Sequence, residues 1–262
     1  MSHQFFVIPD FHTVACLNDR LFPCTVNRHF KNIFCAAEFH RIPRCVRRHA
    51  MDRNKWLLWG LFAWYLALSG WTAYGPVDPE FWAIASILPA CLVVGLIVGH
   101  RWLPLSPLSY VLITVFLSLH TIGVHYTYAQ VPLGAWVDQA LHLGRNHFDR
   151  VVHFSFGFLL AYPMEEAFRL LAHARGWVLY YLPVMTVLGL SGLWEIIESW
   201  VASAVHPELG LTYLGSQGDI WDAQKDMAAA LYGAMLCVTV LAIVRMLRKP
   251  QSMLQAEPAV AE

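Results

Sequence analysis

Three short strings hold the side chains able to do chemistry. In RNHFDRVVHF (145–154), Arg145, Asp149 and His153 recur at i, i+4 and i+8, which places them on one helical face if the helix starts that early. WEIIESW (194–200) separates Glu195 from Glu198 by three residues, again one face. GDIWDAQKDM (218–227) sets Asp219, Asp222 and Asp226 at i, i+3 and i+7. Carboxylates and imidazoles are ligands for divalent cations, and paired carboxylates can share one. Beside Arg145 or Arg150 the same carboxylates would instead form ion pairs, which shift pKa values without doing chemistry. Asp149, His153, Glu195, Glu198, Asp222 and Asp226 are therefore the candidate catalytic or binding groups. His153, Glu195, Glu198 and Asp226 are the candidate metal ligands, while Arg145 and Arg150 beside them and His125 and Asp219 at the rim are the candidate substrate-binding groups. No metal is named beyond a divalent cation.

The elements that must position these groups follow from composition. The chain has 262 residues, 57% hydrophobic and 14% charged, with a mean hydropathy of +0.46. A soluble domain carries about 25% charged residues, so this chain has too little charge to cover a water-facing surface. An integral membrane protein is expected; a disordered chain, a fibre, a nucleic-acid binder and a disulfide-stapled module are excluded. Apolar stretches at residues 56–74, 81–99, 107–126, 151–172, 176–194 and 227–244 each approach the roughly 20 residues that cross a bilayer. The fold class expected is all-α, a polytopic bundle of six transmembrane helices, since lipid requires every backbone group to be paired within the protein. Gly157, Gly189 with Gly192, and Ala229 with Gly233 supply small residues where helices could approach closely.

Charge is uneven along the chain. Residues 1–50 hold seven Lys/Arg against three Asp/Glu, five His and four Cys, with no sustained period and with Pro9, Pro23 and Pro43 interrupting it. Cys16, Cys24, Cys35 and Cys45 lack zinc-ribbon spacing. This stretch is expected to be a disordered extension, with Met51 a natural alternative start because MDRNKW is a basic flank before an apolar helix. Residues 51–248 form the transmembrane domain and 249–262 a cytoplasmic tail. Arg53, Lys55, Arg101, Arg169, Arg175, Arg245, Arg248 and Lys249 gather at one side, so both termini are expected in the cytoplasm, with residues 75–80, 127–150 and 206–226 outside.

Bland explanations exist for each motif. Asp219 and Asp222 suit a helix N-terminus, His153 and His125 could be core and interfacial histidines, and Glu165 and Glu166 can pair with Arg169 on their own helix. Charges on a helix at membrane depth cost at least about 2.5 kcal/mol each and normally face a bundle interior. Asp149, His153, Glu195, Glu198, Asp222 and Asp226 are therefore expected to converge on one outward-facing cavity, with Arg145 or Arg150 beside them and His125 and Asp219 at its rim.

HYTYAQVPLG (125–134), RNHFDRVVHF, WEIIESW and GSQGDIWDAQKDM (215–227) resemble the YjdF-like bacterial inner-membrane proteins, a family of uncharacterised function, over residues 51–248. A looser pattern is similar to VanZ-like membrane proteins: His153-Phe154, Glu195 with Glu198, and Asp222 with Asp226. Glu198 and Asp226 stand where that family usually has Gln and Asn. The resemblance implies a bacterial inner (plasma) membrane location and no reaction. Three readings of function compete: a protein that acts on or binds an envelope lipid or lipid-linked precursor; a structural or assembly protein whose polar cluster is an ion-pair network; and a small transporter, disfavoured because helices one and two lack charge. The lipid bilayer and a lipid-linked substrate are the expected partners; nucleic acid is not.

Overall fold

In the computed structural model, residues 44–247 are described, and α-helices account for all of their regular structure. Of the N-terminal stretch 1–50, residues 1–43 lie outside the described residues, as does the tail 249–262, and α1 opens at Arg44. The chain divides into two units, residues 1–53 and 54–262; every site considered below belongs to the second. The helices are α1 (Arg44–Thr72), α2 (Pro79–Ala85), α3 (Ile87–Gly99), α4 (Pro107–His125), α5 (Pro132–Leu141), α6 (Phe148–Leu171), α7 (Val178–Ala204), α8 (Pro207–Leu214) and α9 (Asp222–Leu247).

Six crossings is a count the structure overturns. Among the described residues four helices are long and apolar enough to cross a membrane: Pro79–Gly99, Pro107–His125, Val178–Ala204 and Asp222–Leu247. The other two of the six apolar stretches fall short of that measure for physical reasons. The described part of α1 is rich in Trp56, Trp59, Trp64, Tyr65 and Trp71, amphipathic rings that favour the membrane interface over its hydrocarbon core. Helix α6 carries Asp149, Arg150, His153, Glu165, Glu166 and Arg169. Its partners α4, α7 and α9 cover most of it, and its most extensive packing is against α9.

Helices start where the sequence supplies caps. Asp78 accepts the backbone N–H groups of Glu80 and Phe81 at 3.0 Å each, with Pro79 at the first helical position. Ser106 and Pro107 open α4 in the same way. Ser86 interrupts the second apolar stretch between α2 and α3 because Pro89 has no N–H to return to the Ala85 carbonyl. Helices α5 and α8 occupy segments expected to be plain external loops.

Small residues decide how α6 meets α9. A Cβ on Gly157 would collide with the Ala230 carbonyl, and one on Gly233 with the Phe154 carbonyl, so the two backbones touch directly. Gly189, also expected at a helix contact, has nothing within 4 Å of where its Cβ would stand. Around this crossing Ala161, Val187, Ala230, Ala234 and Cys237 form a dry core. Polar clusters lie at its two ends. At one end, where α6 and α9 both begin, Arg145 and Arg150 meet Asp222. At the other, where both finish, Arg245 reaches Glu165 at 2.9 Å. Helices α6 and α9 thus run parallel, with an apolar middle between charged ends.

Candidate functional site

The cluster at the start of α6 depends first on the residues just before that helix. Asn146 accepts the Phe148 backbone N–H at 3.0 Å, donates to the Val131 carbonyl at 2.9 Å, and exchanges two hydrogen bonds with Gln217 through its own backbone, each 3.0 Å. These contacts tie the α4–α5, α5–α6 and α8–α9 connections together. They hold Arg145 where it donates to the Ser216 carbonyl at 3.1 Å and to Asp222 at 2.6 Å. Because α6 begins at Phe148, Arg145 does not extend the Asp149/His153 face; it reaches the cluster from the preceding turn. Asn146 and Gln217 were not singled out from the sequence. Asn ahead of an apolar helix is a capping signal, but nothing local marks Gln217 as its partner.

The cluster has two halves. In the cationic half, Arg145 and Arg150 share one Asp222 carboxylate oxygen at 2.6 Å each, and Arg150 also meets Asp219 at 3.0 Å. Lys225 donates to Asp219 at 2.7 Å. That ammonium, helped by the Trp221 backbone N–H, holds the Asp219 carboxyl below its ordinary range. The starts of α6 and α9 and the turns before them are pinned here by ion pairs that, Lys225 apart, are mostly shielded from water.

In the acidic half, His153 Nε2 lies 3.7 Å from Asp149, one turn earlier, and 3.8 Å from Glu195 on α7. Asp149, His153 and Asp226 each offer a ligand atom, and these atoms lie within 4.8 Å of one another. Two carboxylates and one imidazole are suitable donors for a divalent cation, and these three can hold one. Asp226 has only 3% of its side chain exposed, and its nearest cation, Arg150, is 3.9 Å away. One oxygen of Asp226 and one of Glu195 are buried without a hydrogen-bond partner, which is costly unless a cation or a donor completes them. Glu198 is engaged differently: it accepts the Trp194 indole N–H at 2.5 Å. Asp149, His153, Glu195, Asp222 and Asp226 are thus brought together with Arg145, Arg150 and Asp219.

His125 stands apart. Its Nδ1 is bonded to the Thr72 carbonyl at 2.9 Å and its ring stacks on Trp71, so it joins α4 to the end of α1. Nearby, Tyr128 lies over Gly123, where a Cβ would strike the ring, and its hydroxyl is hydrogen-bonded to His120 at 2.7 Å. Burial raises the Tyr128 pKa. At the far end of the bundle, Glu165 and Glu166 meet Arg169 at 3.8 and 3.7 Å. The sequence did not disclose that Glu166 also accepts the Ser109 hydroxyl at 2.6 Å or that Arg245 pairs with Glu165.

Comparison with known proteins places the chain. The family described as "Predicted membrane protein (DUF2238)" matches residues 57–246. "Inner membrane protein YjdF" of Escherichia coli (strain K12) is 36% identical over 174 residues, covering 66% of this chain and 82% of that protein. No solved structure matches. The residues matched enclose both polar clusters and the α6–α9 crossing, and the chain belongs to the DUF2238 family of membrane proteins.

Proposed function

We propose that the chain is a multi-pass protein of the bacterial inner membrane whose polar cluster serves as an architectural lock and, in its acidic half, holds a divalent cation. The name of the Escherichia coli relative supports the location. The ion pairs joining Arg145 and Arg150 to Asp219 and Asp222 support the lock. One observation carries the cation: Asp149, His153 and Asp226 present their ligand atoms within 4.8 Å of one another beside oxygens of Glu195 and Asp226 that are buried without a hydrogen bond. Structural or assembly function therefore stands ahead of chemistry on an envelope lipid. The likeness to VanZ-like proteins rests on the same motif residues and supplies no further role. The experiment is metal analysis of detergent-purified protein after dialysis against Mn2+. About one ion per chain is expected, lost in Asp226→Asn; wild type and variant retaining equal metal would refute the site.

Orientation completes the reading. The Arg-rich end, with Arg101, Arg169, Arg175 and Arg245, faces the cytoplasm, and the Asp/His cluster faces outward.

A further inference from the structure

A second feature touches the cluster from the membrane side. A cavity of about 290 Å³ lies among α3, α4, α6 and α7. Its walls are almost wholly apolar, with Phe116 and Phe156 in the middle. Leu88 and Leu92 of α3 and Leu190 and Leu193 of α7 line it while remaining 39–45% exposed, so they form a mouth between two of the helices apolar enough to cross a membrane. An aliphatic cavity of about 150 Å³ stays dry and takes up benzene; this one is larger and suits a segment of hydrocarbon chain.

Its polar lining is specific. Asp149 and His153 line the cavity, and so does Ser191, which is 2% exposed and whose hydroxyl oxygen has no partner. A helical serine usually returns its hydroxyl to the carbonyl four residues back; Ser191 does not. It sits one turn before Glu195 on the same face of α7, and Glu195 is 3.8 Å from His153. The cavity therefore passes from exposed leucines to a buried acceptor and on to carboxylates. No Lys or Arg lines it. Asp149, Glu195, Glu198, Asp219, Asp222 and Asp226 outnumber the cations Arg145, Arg150 and Lys225, which make their shortest contacts with Asp219 or Asp222, Arg150 also lying 3.9 Å from Asp226.

We propose that this cavity binds a cationic amphiphile, its alkyl chain entering from the bilayer between α3 and α7 and its primary ammonium group facing Asp149 and the hydroxyl of Ser191. Apolar walls favour the chain by burial; the carboxylate excess favours an ammonium and repels a carboxylate or phosphate. The inference rests on the cavity and not on the cation site, although both use Asp149, so ammonium and divalent cation are alternative neutralisers of the same charge.

The test uses the full chain in nanodiscs of phosphatidylcholine, with octylamine, octanol and octanoate as probes and binding read by native mass spectrometry. Octylamine should bind about tenfold more tightly than either of the others, the worth of one charge-assisted hydrogen bond, and Asp149→Asn should erase its advantage over octanol. Leu193→Trp, at the lipid-facing mouth, should weaken octylamine while leaving Mn2+ affinity unchanged. Octylamine binding no better than octanol, or binding unaltered in Leu193→Trp, overturns the proposal. Mn2+ titration of the same preparation scores the cation reading separately: Mn2+ bound without octylamine sinks only the amphiphile site, and octylamine bound without Mn2+ sinks only the cation site.

Discussion

Asp222 carries two guanidinium groups on one oxygen, and removing it leaves both without their shortest contact. Breaking a buried ion pair by deleting one partner costs about 3–5 kcal/mol, because the remaining charge is left unpaired. Asp222→Ala is therefore expected to lower the thermal unfolding midpoint in detergent sharply, and a midpoint equal to that of wild type would remove the lock from the description. Asp219 makes a gentler, pH-dependent contribution. Its folded pKa lies below the ordinary 3.8, so the stability it lends through Lys225 is full above that value and is lost as pH falls through the lowered one. The difference in unfolding midpoint between wild type and Lys225→Met should persist at neutral pH and close as pH falls below the ordinary carboxylate range; a difference independent of pH would assign the Lys225 effect to packing. At this scale helical spacing made much of the site legible, since Asp149 with His153 and Asp222 with Asp226 are one-turn pairs. What it could not show is the Asn146–Gln217 exchange, because that joins turns 71 residues apart with no periodicity to betray them.

Helix α6 is the element on which the bundle is organised, and Gly157 and Gly233 are what let it approach α9. Gly157→Val or Gly233→Val forces backbone apart and should cost at least the roughly 1–3 kcal/mol of overpacking. Gly189→Ala meets nothing and should leave the midpoint unchanged or raise it. If all three variants behaved alike in detergent melts, direct contact at the crossing would not be what Gly157 and Gly233 provide. Apolar runs located α3, α4, α7 and α9 closely, yet they overcounted crossings because amphipathic rings and a few ionisable groups inside a mostly apolar stretch lower its affinity for hydrocarbon without breaking the run. Trp-rich α1 and charge-bearing α6 are the two such stretches. The short helices α5 and α8 were signalled by Pro132 and Pro207 at their first positions and by Gly215 after α8, where it takes a left-handed conformation. Those signals were masked by the polar setting of both segments, which reads as loop.

For the whole molecule, charge asymmetry predicts orientation: reporter fusions should be active outside the cytoplasm after Gly215 and inactive there after Gln251, and the reverse pattern would invert the cluster toward the cytoplasm. The two charged ends and apolar middle describe a bundle whose helices are fastened at both ends, with carboxylate to spare at only one of them. That spare charge is the basis of the cation site. Its most direct measurement is an electron paramagnetic resonance titration of the full chain with Mn2+ in nanodiscs. Wild type should bind about one ion with nitrogen coupling from His153, with the coupling absent in His153→Gln and tight binding absent in Asp226→Asn. Mn2+ remaining free in solution with wild type, or bound identically in all three proteins, would contradict it.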